Sequence, residues 1–212
     1  MSLHLVIPAA GSASRFGSSV PKQFLELNGT PLLVHSIRPF LDFNLDSCTV
    51  AVSEAYMDLA KKLLKPLACQ INVVLGGNTR AESVKLAVQH IEKEAPVLIH
   101  DAARPFIDTA LIQRVLTALK QHEAVIPAIA CTDSIKVVKD NKVVQSLERQ
   151  YLRRVQTPQG FHLSVLKQAY QAVSDITAFT DEGELVESLG ILPAVVAGDE
   201  RNRKVTFSDD LH

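Results

Sequence analysis

Short apolar runs alternate along this chain with longer stretches in which apolar residues recur at a helical spacing. The runs predicted as strands are residues 3–7, 47–52, 71–75, 97–99, 123–129 and 192–197. The predicted helices are residues 32–37, 54–65, 80–94, 111–119 and 163–173, with a short one after residue 182. This alternation is typical of a mostly parallel sheet with helices on both faces. We therefore predict a three-layer α/β fold that ends in an extended segment at residues 203–207.

One segment, residues 133–157, interrupts this rhythm. Residues 134–145 form two alternating runs around a polar turn, which predicts a hairpin rich in charge. Because a protruding arm of this kind usually buries its apolar side against a partner, we expect a homodimer through it. A solvated edge hairpin is the alternative. A length of 212 residues suits one domain, residues 1–212, that includes this arm.

The composition excludes several classes of protein. Lys and Arg total 22 and Asp and Glu 23, so a net charge of −1 argues against a nucleic-acid partner. Hydrophobic content is 47%, but no apolar run approaches the length of a membrane span, and the first residues do not resemble a secretory leader. The three cysteines are widely spaced, which supports neither a disulfide framework nor a zinc site. We expect no membrane partner and a cytoplasmic location.

The segment after the first strand has the properties of a phosphate-binding loop. Residues 9–14 are all small, so the backbone can touch its ligand, and successive N–H groups can bind an anion. Arg15 and Lys22 add two cations. The segment is not a P-loop, because Ser18 follows Gly17 where Lys is needed. It is not a dinucleotide fingerprint either, because Ala13 replaces the second glycine.

Three further polar groups follow predicted strands, where the carboxyl ends of parallel strands form ligand clefts. Gly76 and Gly77 allow the backbone to approach a ligand, although a simple strand-to-helix turn is an equal alternative. Asp101 suits Mg²⁺, which takes one or two carboxylates together with substrate phosphates; the alternatives are a helix cap or a partner for Arg104. Arg104 can bind a phosphate in a bidentate manner. The neighbouring His100 is read as structural. The third group is residues 130–134.

These elements together resemble a known family. The sugar-phosphate nucleotidyltransferases, and among them the methylerythritol phosphate cytidylyltransferases of the non-mevalonate isoprenoid pathway, have the same motifs in the same order. The motifs are Pro8-Ala9-Ala10-Gly11, Pro21-Lys22-Gln23-Phe24, Gly76-Gly77-x-x-Arg80-x-x-Ser83-Val84, His100-Asp101-Ala102-Ala103-Arg104-Pro105, Thr157-Pro158-Gln159, Thr180-Asp181-Glu182 and Lys204-Val205-Thr206. The resemblance spans nearly the whole chain and implies a three-layer, Rossmann-like nucleotidyltransferase fold with a protruding β-arm.

The resemblance also implies roles for individual residues. Arg15 and Lys22 correspond to the pair that stabilises the transition state at the α-phosphate of CTP. The backbone around the triphosphate corresponds to Pro8, Ala9, Ala10, Gly11, Ser12, Ala13 and Ser14. The surroundings of cytosine and ribose correspond to Gly76, Gly77, Ser83 and Ala102. Asp101 corresponds to the residue that serves Mg²⁺ and the acceptor hydroxyls. The residues that hold the polyol phosphate correspond to Arg104, Ser134, Arg149, Thr180 and Lys204, with Ser134 and Arg149 lent across the dimer.

The implied reaction transfers CMP from CTP to methylerythritol phosphate. Because the acceptor phosphate is ionised near neutral pH, no strong general base is needed, and cations offset the repulsion between two anions. Ala13 and Ser134 depart from the usual Gly and Thr, but each keeps small size or a hydroxyl. A ribitol 5-phosphate cytidylyltransferase, a non-catalytic nucleotide-binding regulator and a nicotinamide-dependent oxidoreductase are the alternatives; the missing glycine pattern argues against the last.

Overall fold

The computed structural model describes residues 2–11, 20–67, 69–206 and 210. Over those ranges the chain forms twelve strands: β1 (Leu3–Pro8), β2 (Glu26–Leu27), β3 (Thr30–Pro31), β4 (Leu45–Val52), β5 (Ile71–Leu75), β6 (Pro96–Ile99), β7 (Ala124–Ala130), β8 (Lys136–Lys139), β9 (Lys142–Ser146), β10 (Arg153–Val155), β11 (Gln159–His162) and β12 (Ala194–Ala197). The α-helices in the same ranges are α1 (Leu32–Ile37), α2 (Met57–Leu64), α3 (Arg80–Gln89), α4 (Thr109–Ala118), α5 (Leu163–Ala172) and α6 (Glu182–Glu187). None of these described helices is long and apolar enough to cross a membrane.

Eight strands form one sheet. The pairing path is β10-β7-β11-β6-β1-β4-β5. Strands β11 and β10 pair with successive parts of β7, at residues 124–125 and 128–130, and β12 also pairs with β7, at residues 125–128. Strands β1, β4, β5 and β6 are parallel to one another, as are β7 and β12, whereas β10 and β11 run antiparallel to their neighbours. The prediction of a mostly parallel sheet is confirmed.

Helices cover both faces of this sheet. In β1, successive side chains point to opposite faces, so Leu5 and Ile7 belong to one core and Val6 to the other. Buried residues of α1, α2 and α4 complete the first core, and those of α3, α5 and α6 complete the second. Burial on both faces explains why β1 is almost continuously apolar. The predicted three-layer α/β architecture is confirmed.

The sequence pattern misses two strands of the main sheet. Strands β10 and β11 are not predicted, because β10 is basic and β11 contains a glycine. That glycine, Gly160, is required by close packing: an added Cβ would lie 2.6 Å from Leu119 Cδ1 and 2.8 Å from Val115 Cγ1 of the region around α4. The extended segment predicted at residues 203–207 forms no strand over its described part, residues 203–206. The helix predicted at residues 80–94 ends at Gln89.

The predicted hairpin is present. Strands β8 and β9 pair with each other in a separate two-stranded sheet, and Asp140 and Asn141 both have positive φ, as a two-residue hairpin turn requires. Val138 and Val143 are direct partners across this hairpin and are 55% and 61% exposed. The arm therefore presents apolar side chains that the described residues leave exposed.

His100, which follows β6, is part of the core. Its side chain is fully buried, and its ring lies 5.1 Å from that of Phe40. The Thr157 hydroxyl donates to Nδ1 at 3.0 Å, and Nε2 donates to the Arg104 carbonyl at 3.1 Å. Burial lowers the pKa of His100 to about 4. The structural interpretation of this histidine is consistent with these contacts, because a neutral ring satisfies both partners.

The buried neutral His100 predicts a specific loss of stability in acid. Its pKa is lower in the folded than in the unfolded state, so the unfolded chain binds the extra proton between about pH 6.5 and pH 4. We expect the free energy of unfolding to fall by about 3 kcal/mol as the pH is lowered through that window. Urea unfolding at constant ionic strength measures this decline, and an NMR titration gives the pKa of the ring directly. A folded His100→Gln variant that declines as steeply as the wild type would contradict the assignment.

Candidate active site

A polar cleft of about 340 Å³ lies where the carboxyl ends of the parallel strands meet. The loops that follow β1, β5 and β6 converge there, as expected for an open α/β sheet. The C-terminal segment contributes the remaining wall. The lining residues are Pro8, Ala9, Ala10, Gly11, Lys22, Gln23, Gly77, Asn78, Thr79, Arg80, Ser83, Asp101, Ala102, Ala103, Lys204 and Thr206.

The loop after β1 is fixed at its base by main-chain and side-chain hydrogen bonds. The N–H of Ala9 donates to the Ala51 carbonyl at 2.7 Å, which extends the sheet by one residue. The buried amide of Gln23 donates to the carbonyls of Ala9, at 2.6 Å, and Gly11, at 3.1 Å. Because the carbonyls of Ala9 and Gly11 already accept hydrogen bonds from Gln23, this end of the loop is held in place.

The loop after β5 approaches the first loop closely. A Cβ added at Gly76 would lie 2.6 Å from the Cβ of Ala10 and 2.9 Å from Ser83 Oγ, so a side chain there would push the two loops apart. Gly77 N–H donates to Ser83 Oγ at 3.1 Å, and that hydroxyl donates to the Thr79 carbonyl at 2.8 Å. Thr79 also caps α3 in a capping box with Glu82. Small residues and a well-capped helix therefore shape this side of the cleft.

Asp101 is the electrostatic centre of the site. Its side chain is only 10% exposed, and Oδ1 accepts from Arg80 Nε at 3.0 Å while Oδ2 accepts from Lys204 Nζ at 2.8 Å. Arg104 Nε lies 3.7 Å from Oδ2. Burial alone would raise the pKa of this carboxyl, but the three neighbouring cations hold it well below its usual range. Asp101 is therefore ionised throughout the neutral pH range.

Arg80 connects this carboxylate to a second, more deeply buried one. Its Nη1 donates to both oxygens of Glu182, at 3.0 and 2.7 Å. Glu182 is 1% exposed and also accepts from the Tyr170 hydroxyl at 3.3 Å. Burial raises the pKa of Glu182, and Arg80 opposes that shift. The two carboxylates in turn raise the pKa of Arg80, which stays a cation.

The C-terminal segment is tied across the loop after β6. The N–H of Val205 donates to the Ala103 carbonyl at 2.8 Å, and its own carbonyl accepts from Lys22 Nζ at 2.8 Å. Arg104 Nη1 donates to the Asn202 carbonyl at 2.8 Å. These bonds bring Lys204 to the cleft, although it is nearly two hundred residues away from the first loop.

The structure brings most of the predicted site residues together and separates a few. Those that line the cleft are Pro8, Ala9, Ala10, Gly11, Lys22, Gly77, Ser83, Asp101, Ala102 and Lys204. Gly76 and Arg104 lie directly behind it. Ser134 and Arg149 lie on the exposed arm, and Thr180 bonds Glu184 at the start of α6. Arg15, Ser12, Ala13 and Ser14 lie outside the described residues.

Arg80 and Glu182 are site residues that the sequence argument did not select. Arg80 belongs to the glycine motif and opens a helix that follows a strand, which is a signal for a site residue. Glu182 belongs to the Thr180-Asp181-Glu182 motif, but an acidic residue in the first turn of a helix is common for reasons of the helix dipole alone, so the motif does not show which residue Glu182 contacts. Only the fold shows that it faces Arg80.

The donors in the cleft fit a Mg²⁺ ion that arrives with a phosphorylated ligand. No group of three or more His, Cys, Asp or Glu side chains that could hold a metal by itself is present in the part of the chain that the structure describes. Asp101 nevertheless offers carboxylate oxygens at the cleft, each with a second lone pair beyond the one its cation uses. One carboxylate with substrate phosphates is a usual coordination for Mg²⁺.

Comparisons with known proteins agree with this geometry. The sequence model of the family described as IspD, 2-C-methyl-D-erythritol 4-phosphate cytidylyltransferase, matches residues 3–212. A 2-C-methyl-D-erythritol 4-phosphate cytidylyltransferase of Bacillus mycoides is 38% identical over 98% of this chain and 93% of its own length. One from Thermosipho melanesiensis is 34% identical with the same coverage.

Solved structures give the same result. The crystal structure of Francisella tularensis 2-C-methyl-D-erythritol 4-phosphate cytidylyltransferase superposes with a TM-score of 0.86 at 31% identity, covering 100% of this chain and 97% of that chain. The Thermus thermophilus structure gives a TM-score of 0.79 at 29% identity, with coverage of 100% and 96%. From its sequence and its fold alike, this chain belongs to the 2-C-methyl-D-erythritol 4-phosphate cytidylyltransferase family.

Proposed function

We propose that this protein transfers CMP from CTP to 2-C-methyl-D-erythritol 4-phosphate. The products are 4-diphosphocytidyl-2-C-methyl-D-erythritol and pyrophosphate, and the reaction is a step of isoprenoid precursor biosynthesis. The observation that carries this proposal is the cleft at the strand ends, where Arg80, Arg104 and Lys204 surround one buried carboxylate, Asp101, and Lys22 also lines the cleft, in a member of this family. Such a cleft suits two phosphorylated substrates that must be brought together.

The reaction is an in-line displacement at phosphorus. A phosphate oxygen of the acceptor forms a bond to the α-phosphorus of CTP, and the bond to the bridging oxygen breaks, so the β- and γ-phosphates leave as pyrophosphate. The acceptor phosphate has a second pKa of about 6 and already carries the attacking charge at neutral pH. The enzyme therefore needs no base; it must offset repulsion and orient the two anions.

Lys22 and Arg15 serve the triphosphate in this proposal. Lys22 stands at the start of a short 3₁₀ turn, Lys22–Phe24, whose Gln23 anchors the loop after β1. A cation in that position can meet the charge that develops at the α-phosphate. Arg15 is assigned the same role from the sequence. Backbone groups of the loop after β1, including Ala10 and Gly11, would cradle the phosphates, as would those of Ser12, Ala13 and Ser14.

The base and ribose of CTP are assigned to the other side of the cleft. Gly76, Gly77 and Ser83 shape a narrow surface there, on which backbone groups can read the amino group of cytosine. Ala102 is nearly fully buried at the cleft floor and leaves room for the nucleotide. The small side chains support a flat ligand at this place.

The acceptor is assigned to Asp101 and the cations beside it. Lys204 and Arg104 hold the polyol phosphate and aim it, and Asp101 accepts from its hydroxyls. In the proposed homodimer, the arm of the partner would supply Ser134 and Arg149, while Thr180 completes the acceptor side. Mg²⁺ would be held by Asp101 together with substrate phosphates, and when bound it supplies charge neutralisation.

We also propose a cytoplasmic location. Cys48, Cys69 and Cys131 are free thiols, and Cys48 is buried. Free cysteines are typical of a reducing compartment.

Pyrophosphate release with individual substrates tests the reaction. We expect release from purified protein with Mg²⁺, CTP and 2-C-methyl-D-erythritol 4-phosphate, and little with ATP, GTP or UTP, because the proposed backbone contacts recognise the amino group of cytosine, which uracil lacks, and the small ring of a pyrimidine. Ribitol 5-phosphate is the matched alternative acceptor. Release with ribitol 5-phosphate instead would overturn the acceptor and keep the CTP site. Silence with every acceptor, from folded protein that binds CTP, would favour a non-catalytic regulator.

Removing the proposed phosphate cations should slow the chemical step. We expect Lys22→Ala or Arg15→Ala to lower kcat by roughly 100-fold or more, because each removes a charge that stabilises the transition state. Lys120→Ala, an exposed lysine after α4, is the control for loss of one positive charge. Steady-state kinetics with a pyrophosphate readout measure the effect. An unchanged kcat in either variant would remove that residue from the role.

Charges on the arm should prevent the proposed dimer. Val138 and Val143 form one exposed apolar pair, so Val138→Asp with Val143→Asp would place two charges in the interface. We expect a dimer for the wild type and a monomer for this variant in analytical ultracentrifugation. Leu192→Asp, at a residue 83% exposed outside the arm, should leave the dimer intact. A monomeric wild type, or a dimeric double variant, would contradict assembly through the arm.

A further inference from the structure

Arg80 makes two directed bonds that fix its guanidinium. Nε donates to Asp101 Oδ1 at 3.0 Å, and Nη1 donates to both oxygens of Glu182. A guanidinium is planar and its donors have a fixed relative geometry. The position of Glu182 therefore determines the direction from which Arg80 approaches Asp101.

Glu182 is itself held from several sides. It is 1% exposed and accepts from the Tyr170 hydroxyl at 3.3 Å. It opens α6, whose cap residue Asp181 accepts from the Gln159 side-chain amide at 2.9 Å, and the Gly183 N–H donates to the same amide's oxygen at 3.3 Å. Because Gln159 belongs to β11, these hydrogen bonds connect the start of α6, and with it Glu182, to the central sheet.

Glu182 limits the way in which Arg80 can contact Asp101. Asp101 has three cationic neighbours. If Arg80 paired with Asp101 alone, it would donate two hydrogen bonds to that carboxylate, because a bidentate fork is the usual arginine–carboxylate geometry. Because Glu182 occupies Nη1, Arg80 cannot bind Asp101 end-on through Nη1 and Nη2; it approaches from its Nε side and donates to Oδ1. The other oxygen, Oδ2, is left to Lys204 at the cleft.

We infer that Glu182 is a positioning residue for the reaction, which acts through Arg80 to hold the Asp101 carboxylate with Oδ2 paired to Lys204 on the acceptor side of the cleft. This inference rests on the proposed function, because its consequence is productive orientation of the acceptor. Glu182 is not among the residues that line the cleft, so it acts on the acceptor only through other side chains.

Glu182→Gln tests this role, because it keeps the size of the side chain and removes its charge. We expect kcat to fall about 10- to 100-fold and KM for the acceptor to rise, since a misplaced orienting group costs rates of that order. Metal-free CTP affinity, measured by calorimetry, should stay within about twofold, because the nucleotide loops are untouched. Glu187→Gln, an exposed glutamate on the same helix, is the matched control.

A second variant and a second readout make the test independent of turnover. Arg80→Lys keeps the positive charge but cannot reach both carboxylates, so it should reproduce the kinetic loss. It also assigns the Arg80 Nε–H signal in ¹⁵N NMR by removing it. In the wild type that proton should exchange slowly with solvent, and in Glu182→Gln its signal should shift and exchange faster.

The outcomes separate the inference from the proposed function. A folded Glu182→Gln variant with wild-type kcat, wild-type acceptor KM and an unchanged Arg80 signal would overturn the inference alone. A lower melting temperature with wild-type kinetic constants would assign Glu182 a structural role only and overturn it as well. A wild type that releases no pyrophosphate with any acceptor would overturn the proposed function, and with it the inference.

Discussion

The site depends on the ion pairs that keep the buried carboxylate of Asp101 ionised. A carboxylate that is nine-tenths buried is costly unless cations and hydrogen bonds compensate for its lost hydration. Here the compensation comes from Arg104, three residues further along the same loop after β6, and from two distant residues, Arg80 at the start of α3 and Lys204 near the C-terminus. Pairing with Asp101 therefore ties the start of α3 and the C-terminal segment to this loop.

The rest of the cleft follows from the same convergence. Parallel strands send every following loop to one edge, so the glycine at position 76 can touch Ala10 although the two are far apart in sequence. The C-terminal segment lies against the loop after β6. The hydrogen bond from the Val205 N–H to the Ala103 carbonyl holds it there without adding a strand to the sheet. His100 is buried and neutral beneath this loop, and its hydrogen bond to the Arg104 carbonyl holds the main chain of the loop in place. Packing and electrostatics thus support one another.

The sequence is sufficient for the architecture but not for the interior of the site. Apolar runs with helical stretches between them predict parallel strands because burial on both faces of β1 leaves little choice of residue. Strand β11 is not predicted because it contains Gly160, which close packing against α4 requires, and local strand propensity does not reflect such a long-range contact. Asp101, Lys204 and Glu182 all lie in recognisable motifs, but only the fold shows that Glu182 bonds Arg80. Long-range pairing is a property of the fold, and a motif alone does not reveal which distant residue a side chain contacts.

A site with this much positive charge also constrains what it can do. Arg80, Arg104 and Lys204 lie around a single carboxylate, Lys22 also lines the cleft, and Glu182 pairs with Arg80. The cleft therefore favours anions, and a multiply charged ligand can contact several of these cations at once. In the proposed reaction, two phosphorylated substrates bound side by side contact these cations together, which lowers the repulsion between a triphosphate and a phosphate monoester. On that proposal, the cations that make burial of Asp101 possible are also the groups that bring the reactants together, so that stability and catalysis depend on one set of charges.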